Sequence, residues 1–348
     1  MTDTPPLARA PSICVIVPNY NDARYVTRCL GSILEQESPP DELIVVDDHS
    51  TDDSVAIIRA AIAGRAWARL IENPANLGTY GAVDAGIKDC RSDYVLFLSS
   101  NDFVLPGIFA RARACLARSP GVALWSAMGW IVDEADRPVH LQSLAVVSLA
   151  DRHFGPEDCR RMAWRLGSWF TGTTAVYHRA TLEAVGRFDP AYGGLSDLIT
   201  ALIVTGKGGA VFSPEPYAVI RQHAGSYLSK TLGDLQRLGY LLDRLRERGA
   251  AIAPELFTPR FFNRTRKRFV FAAIRASRGA RMGEFAPLCP GLAGPLLALA
   301  DAAVPARMAL VRTAFAFLVL RPYDILPSFW NRFLGTRMVA ARVRFGGG

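Results

Sequence analysis

Three short apolar runs, each passing directly into a cluster of small polar and acidic residues, constrain this chain more than any other feature. Ile13-Cys14-Val15-Ile16-Val17 leads into Pro18-Asn19-Tyr20-Asn21-Asp22, Leu43-Ile44-Val45-Val46 into Asp47-Asp48-His49-Ser50, and Tyr94-Val95-Leu96-Phe97-Leu98 into Ser99-Ser100-Asn101-Asp102. Runs this short, apolar at every position rather than at alternate ones, predict strands covered on both faces. Between them Val26, Cys29, Leu30, Ile33 and Leu34 recur at helical spacing until Pro39-Pro40. Ser54–Ala63 and Tyr80–Cys90 also read as helices, and Arg69-Leu70-Ile71 as a further strand. Strands alternating with helices imply right-handed crossovers and a parallel sheet. In such a sheet ligands bind outside the carboxyl ends of the strands, where all three polar clusters fall.

The rest of the body is less regular. Trp164–Tyr177 is rich in aromatics and threonine around Gly172, and Gly186-Arg187-Phe188-Asp189 precedes the loop Tyr192–Asp197. A helix is predicted over Leu198–Thr205 and a strand over Ala210-Val211-Phe212; beyond Leu232 the pattern is helical, interrupted by prolines. With 348 residues, 50% hydrophobic and 21% charged, the chain can bury about two cores and is neither disordered nor fibrous. Its six cysteines form no CxxC pair and no regular spacing, so neither a disulfide scaffold nor a zinc site is expected, and a reducing compartment is. Residues 1–11 lack a basic stretch followed by an apolar one, so no secretory signal is expected and a cytoplasmic location is.

Taken together, the strand ends resemble a family 2 glycosyltransferase of the GT-A fold. The matching stretches are Val17-Pro18-Asn19-Tyr20-Asn21, Val46–Asp52, Asn76-Leu77-Gly78, Tyr94–Gly107, Gly186–Asp189, and Arg221-Gln222-His223 with Ser226, in the family's order. The resemblance implies an α/β body over residues 10–230, a Rossmann-like, mostly parallel sheet flanked by helices, followed by a basic helical region over 231–348. It implies an inverting hexosyltransferase that moves a sugar from a nucleotide-diphosphate donor, UDP-sugar favoured. The implied acceptor is a hydroxyl on a surface glycan or lipid-linked saccharide, as in polysaccharide biosynthesis for the cell envelope.

Each implied role has a physical reason. Tyr20 would lie against the base, where a rigid aromatic face stacks. Asp48 would accept the imide N–H of a uracil-like base, free to do so if Asp52 or Ser50 caps the following helix. Pro18, Asn21, Asn76, Gly78, Ser100 and Arg221 complete the implied donor contacts. The family places Asp-x-Asp after the third run, its last aspartate holding a divalent cation; here those positions read Ser99-Ser100-Asn101, followed by Asp102. Hard cations prefer anionic oxygens, so weaker binding of Mn2+ or Mg2+ is expected, with Asn101, Asp102 and His223 as candidate ligands. Such a cation offsets the charge that grows on the diphosphate as the glycosidic bond breaks. The family's base is the aspartate of a Glu-Asp pair at a helix start. Ser196-Asp197 stands at that place, making Asp197 the candidate base, with a helix cap worth about 1 kcal/mol as its alternative role. The missing acids motivate a rival reading, a degenerate GT-A protein that binds nucleotide-sugars without catalysis. A nucleotidyltransferase would carry a glycine-rich basic loop after the first strand, which Pro18-Asn19-Tyr20-Asn21 is not.

The formal charge of +8 is uneven. Residues 231–348 hold 19 Lys+Arg and 7 Asp+Glu, a net of +12, which leaves 21 and 25, a net of −4, for residues 1–230. Eight Arg or Lys residues and no acid lie between Pro259 and Gly283, interleaved with Phe261, Phe262, Phe269, Phe271 and Ile274. That composition suits a helix on an anionic membrane surface, peripheral on the inner face of the plasma membrane. A helical region that only packs or dimerises is the alternative, and no nucleic-acid fold signature accompanies the basic residues. Phe285–Ala300 is free of charge but carries Pro287, Pro290 and Pro295, too short and too broken to span about 20 residues of bilayer.

Overall fold

A computed structural model of the chain describes residues 9–142, 145–221, 232–279, 282–324 and 337–338. The three apolar runs and Ala68–Glu72 form parallel strands β1 (Ile13–Asn19), β2 (Glu42–Asp47), β3 (Ala68–Glu72) and β4 (Tyr94–Phe97), ordered β3-β2-β1-β4. Helices α1 (Ala23–Leu34), α2 (Ser54–Ile62) and α3 (Gly78–Asp89) make the crossovers. β1 is central, and its period of two sends Cys14 and Ile16 to one face beside Ala82 and Ile87 of α3. Ile13, Val15 and Val17 go to the other, against Val26, Leu30 and Ile33 of α1.

Past β4 the sheet becomes mixed. β5 (Phe103–Val104), α4 (Ile108–Ala117), β6 (Leu124–Val132), β7 (Pro138–Leu141), β8 (Arg152–Phe154) and α5 (Pro156–Leu166) follow in the chain. Then come β9 (Val176–His178), α6 (Arg179–Ala184), α7 (Ser196–Gly208) and β10 (Ala210–Arg221). β9 inserts antiparallel between β4 and β6, and β10 lies parallel to β6. The expected parallel sheet holds for the first four strands; β9 is three residues long, too short to carry a period, and the reversal it makes has no signal in the sequence.

The C-terminal region comprises α8 (Leu235–Ile252), α9 (Pro259–Ala276), α10 (Ala293–Ala303) and α11 (Ala309–Leu320). Packing crosses the boundary expected at residue 231: Leu241, Leu245, Leu256, Phe257 and Phe261 belong to the same buried cluster as Cys14 and Ile16. The basic, aromatic segment 259–283 begins with a helix whose apolar side packs on the body. Phe261, Phe271 and Ile274 are buried, Arg264 and Arg268 donate to the carbonyls of Trp164 and Arg165, and Arg266 pairs with Asp243. Among the described residues no helix is long and apolar enough to cross a membrane.

Candidate active site

The loops after β1 and β2 are tied to each other by short polar side chains. Buried Asp47 accepts from Asn19 Nδ2 (2.8 Å), Ser50 N (2.9 Å) and Ser50 Oγ (2.6 Å), which consumes it in holding the turn through His49, whose φ is +69°. Asn21 donates its backbone N–H to Ser50 Oγ (3.0 Å) and accepts from Thr51 N (2.8 Å). Asp52 accepts from Ala23 N and Ser54 N, both at 3.0 Å, so the capping falls to Asp52. That leaves Asp48. It is buried, its Oδ1 accepts from Asn73 Nδ2 (2.8 Å) and Leu77 N (2.9 Å), and its Oδ2 accepts nothing among the described residues. Tyr20 stands exposed in the adjoining loop, and Pro18 is half-buried within β1. Asn76 accepts from Gly78 N (3.0 Å), and Gly78, at a φ of +75°, makes the turn that starts α3.

At the end of β4 the side chains divide. Ser100 donates to Asp22 Oδ2 (2.5 Å) and is buried, so its hydroxyl ties the end of β4 to the loop after β1. Asp102 turns inward: Oδ1 accepts from Arg221 N (2.9 Å) and Oδ2 from Thr173 Oγ1 (3.3 Å). Burial pushes its pKa up to about 7, against the pull of Arg221 and Thr173. Arg221, expected at the diphosphate, is buried as well. Its guanidinium lies over the Tyr25 ring (4.4 Å), donates to the carbonyls of Asn101 (3.0 Å) and Glu134 (3.2 Å), and pairs with Asp136. In this structure Asp102 and Arg221 are both buried and engaged within the fold rather than turned to an open face. Asn101 is half-buried, and its amide makes no hydrogen bond among the described residues. His223 lies outside the described residues.

The side-chain amide of Asn101 is thus the one donor of the expected metal trio left open among the described residues. A neutral amide oxygen fits a weakly held cation at most. The described residues contain one cluster of metal-type ligands, Cys14, Glu42 and Cys90, but Cys14 and Glu42 pair at the opposite ends of β1 and β2 from the polar loops. Glu42 is already taken by Ser92 Oγ (2.6 Å), Arg69 (2.8 Å) and Arg91 N (3.0 Å).

Asp197 joins this rim through the turn Gly172–Thr174. Thr173 holds Asp102 on one side; on the other, a Cβ added to Gly172 would sit 3.3 Å from Asp197 Oδ2. The carboxylate lies in the first turn of α7 and accepts from Leu198 N (2.7 Å). It is open to solvent yet closely surrounded by protein. That crowding pushes its pKa up, opposed by the Leu198 N–H. The Tyr177 hydroxyl is pushed up by burial, then by Asp197 and Tyr80. Tyr80 donates to Gly193 O (3.0 Å) and stacks on Phe188 (6.0 Å), beside a cleft of about 350 Å³ lined by Leu77, Tyr80, Asp84, Arg187, Phe188 and Pro190. α3 thus touches Asp48 at its start, through Leu77 N, and the loop before Asp197 one turn later, through Tyr80 and Gly193. Sequence reasoning missed Asn73, Asp22, Gly172 and Thr173. Asn73 follows β3 as the other clusters follow their strands, and the same signal could have found it.

A mixed sheet with four parallel strands and a polar rim at their carboxyl ends is the architecture expected of a GT-A fold. The family described as glycosyl transferase family 2 matches residues 14–185. An uncharacterized protein of Mycobacterium tuberculosis is 30% identical over 247 residues, 68% of this chain and 74% of that one. In three dimensions the chain is similar to S. aureus TarS 1–349 in complex with UDP-GlcNAc (TM-score 0.55, 18% identity, 90% of this chain and 91% of that one). It is also similar to the mannosyltransferase PcManGT of Pyrobaculum calidifontis in complex with GDP-Man and Mn2+ (TM-score 0.55, 22% identity, 95% and 87%). It spans 37% of the Rhizobium meliloti succinoglycan biosynthesis protein ExoO, to which it is 32% identical over 148 residues, 42% of this chain. The chain belongs to glycosyl transferase family 2 and is a glycosyltransferase.

Proposed function

We propose that the enzyme takes a nucleotide-diphosphate sugar, UDP-sugar favoured, and passes the sugar with inversion to a hydroxyl of a surface glycan or lipid-linked saccharide. The observation that carries this reading is that Asp48 and Asn101 follow β2 and β4, the two strands flanking β1, while the turn Gly172–Thr174 touches both Asp102 and Asp197. Asp48 offers Oδ2 to a base imide N–H while Asn73 and Leu77 N fix Oδ1. Tyr20 supplies the exposed ring for the base. Asp197 takes the acceptor proton as the acceptor oxygen attacks the anomeric carbon from the face opposite the leaving diphosphate. Asn101 would hold a cation such as Mn2+ or Mg2+ weakly, and that cation supplies charge neutralisation at the leaving diphosphate. The glycan acceptor is supported by the likeness to ExoO.

Asp197→Asn separates this reading from binding without turnover. Nucleotide release in the presence of acceptor is expected to fall by about 10²–10⁴-fold, while the thermal shift given by the nucleotide diphosphate stays within error of wild type. Equal loss of donor stabilisation would remove Asp197 as the base. A wild-type chain that is stabilised by the donor and never releases nucleotide would establish the binding-only alternative.

A further inference from the structure

Helices α10 and α11 turn an apolar face to solvent. Among the described residues, seven of the fourteen exposed large apolar side chains fall between residues 292 and 318. Leu292 (80% exposed), Leu296 and Leu299 (66%) recur along one side of α10, and Leu310 (88%), Val311 and Leu318 (57%) along one side of α11. The opposite sides, Leu297 and Ala300, Ala316 and Leu320, are buried against α9 and its neighbours. An exposed stripe on each of two helices that pack together is more than the scattered surface leucines of a soluble protein.

The charges around this face are mostly positive. Of the acids nearby, Asp301 pairs with Arg312 and Asp324 with Arg268 and Arg321, and Glu284 lies exposed in the turn before α10. Arg275, Arg278 and Arg307 are exposed and make no ion pair among the described residues. Arg278 precedes Gly279, whose backbone abuts Ala309 and Arg312 at the start of α11, so the end of α9 brings its cations to the edge of the stripe. The chain then continues through residues 325–348 with four arginines and no acid. At 11 and 12 residues the two helices reach about 16–18 Å, short of the roughly 30 Å of a bilayer core.

We propose that this face is a membrane-docking surface. The leucines of α10 and α11 enter the headgroup–acyl boundary of an anionic phospholipid bilayer, and Arg275, Arg278 and Arg307 meet its phosphates. A second copy of the chain fits less well, since an isologous contact would bring the same arginines towards one another. The inference deepens the lipid-linked acceptor of the proposed reaction, but it rests on the C-terminal helices alone and stands or falls separately from turnover.

The test is co-sedimentation of the full chain with vesicles of phosphatidylcholine and of phosphatidylcholine with phosphatidylglycerol. Binding to the anionic vesicles is expected, with partitioning reduced about tenfold or more in L299E/L310E. R275S/R278S/R307S is expected to lose the preference for phosphatidylglycerol. Both positions of the first variant are exposed, so its thermal midpoint should match wild type, and Asp197→Asn should bind vesicles like wild type whatever it does to transfer. Three results would overturn the proposal. One is no vesicle binding by the wild type. Another is unchanged binding by L299E/L310E, which would put the contact in the basic residues beyond 324. The third is a concentration-dependent dimer that L299E/L310E dissolves, which would give the face to a second copy.

Discussion

A carboxylate can accept a proton only while it is ionised, and the surroundings of Asp197 make ionisation harder. Crowding by protein raises its pKa from the ordinary 3.8, and the backbone N–H groups of Leu198 and of Asp197 itself oppose that only in part. The sign for activity follows: the active form is lost as pH falls through this pKa. The acid limb of kcat/KM is therefore expected above the usual aspartate range of about 3.5–4, and a profile measured from pH 4 to 8 should show it. A limb at the ordinary value, or a flat profile, would detach Asp197 from the proton transfer. Asp102 shows the contrasting fate of an acid on the same rim. Pushed to about 7 by burial and held by Arg221 N and Thr173, it braces the strand end. Position in the chain did not distinguish the two acids; direction did, and direction depends on what packs behind each loop.

Elements set those directions, and α3 is the one most tightly specified. It carries Leu77 and Tyr80 towards the site and lies so close to β1 that a Cβ on Gly86 would come within 2.6 Å of Ile16 Cγ2. Gly86→Ala should therefore overpack the sheet, lower stability by about 1–3 kcal/mol, and weaken donor-induced stabilisation by displacing the Leu77 N–H from Asp48. Thermal denaturation with and without nucleotide diphosphate checks both, and an unchanged midpoint would mean that α3 can lift away freely. β1, β2, β4, α1 and α2 were legible in the sequence because unbroken apolar runs and a 3.6-residue period are local signals. The turn Gly172–Thr174 was not, since its importance lies in contacts with Asp102 and Asp197 that are 71 and 25 residues away in sequence (173 − 102 and 197 − 172). Arg221 lies at a strand end as expected, and its side chain turns to Tyr25 and Asp136 in this structure. A basic residue there reads the same whether it faces a diphosphate or, as found, Tyr25 and Asp136.

At the scale of the whole molecule, the catalytic sheet and the basic C-terminal helices are not independent bodies. Leu241, Leu245, Leu256, Phe257 and Phe261 are buried in the core that covers one face of β1 and β2, and Trp164 Nε1 donates to Leu256 O (2.8 Å) across the expected boundary. At about 1.5–3 kcal/mol for each buried side chain, those five amount to about 7–15 kcal/mol of apolar burial. That is as large as the entire net stability of a typical domain. Arg248 of α8 also pairs with Asp189 (2.5 Å), which caps the turn Pro190–Leu195 leading into Asp197, so the same helices steady the loop behind the candidate base. A chain ended after Lys230 should then lose both the cover of its sheet and the support of that loop. It is expected to aggregate or to unfold without cooperativity, and to show no stabilisation by nucleotide diphosphates in a thermal melt. A soluble fragment that melts in one sharp transition and is stabilised by the donor would mean that the helices are an appendage. The membrane face on α10 and α11 would then be joined to the active site by the chain alone, whereas the packing described here joins it through α9, α8 and the loop before Asp197.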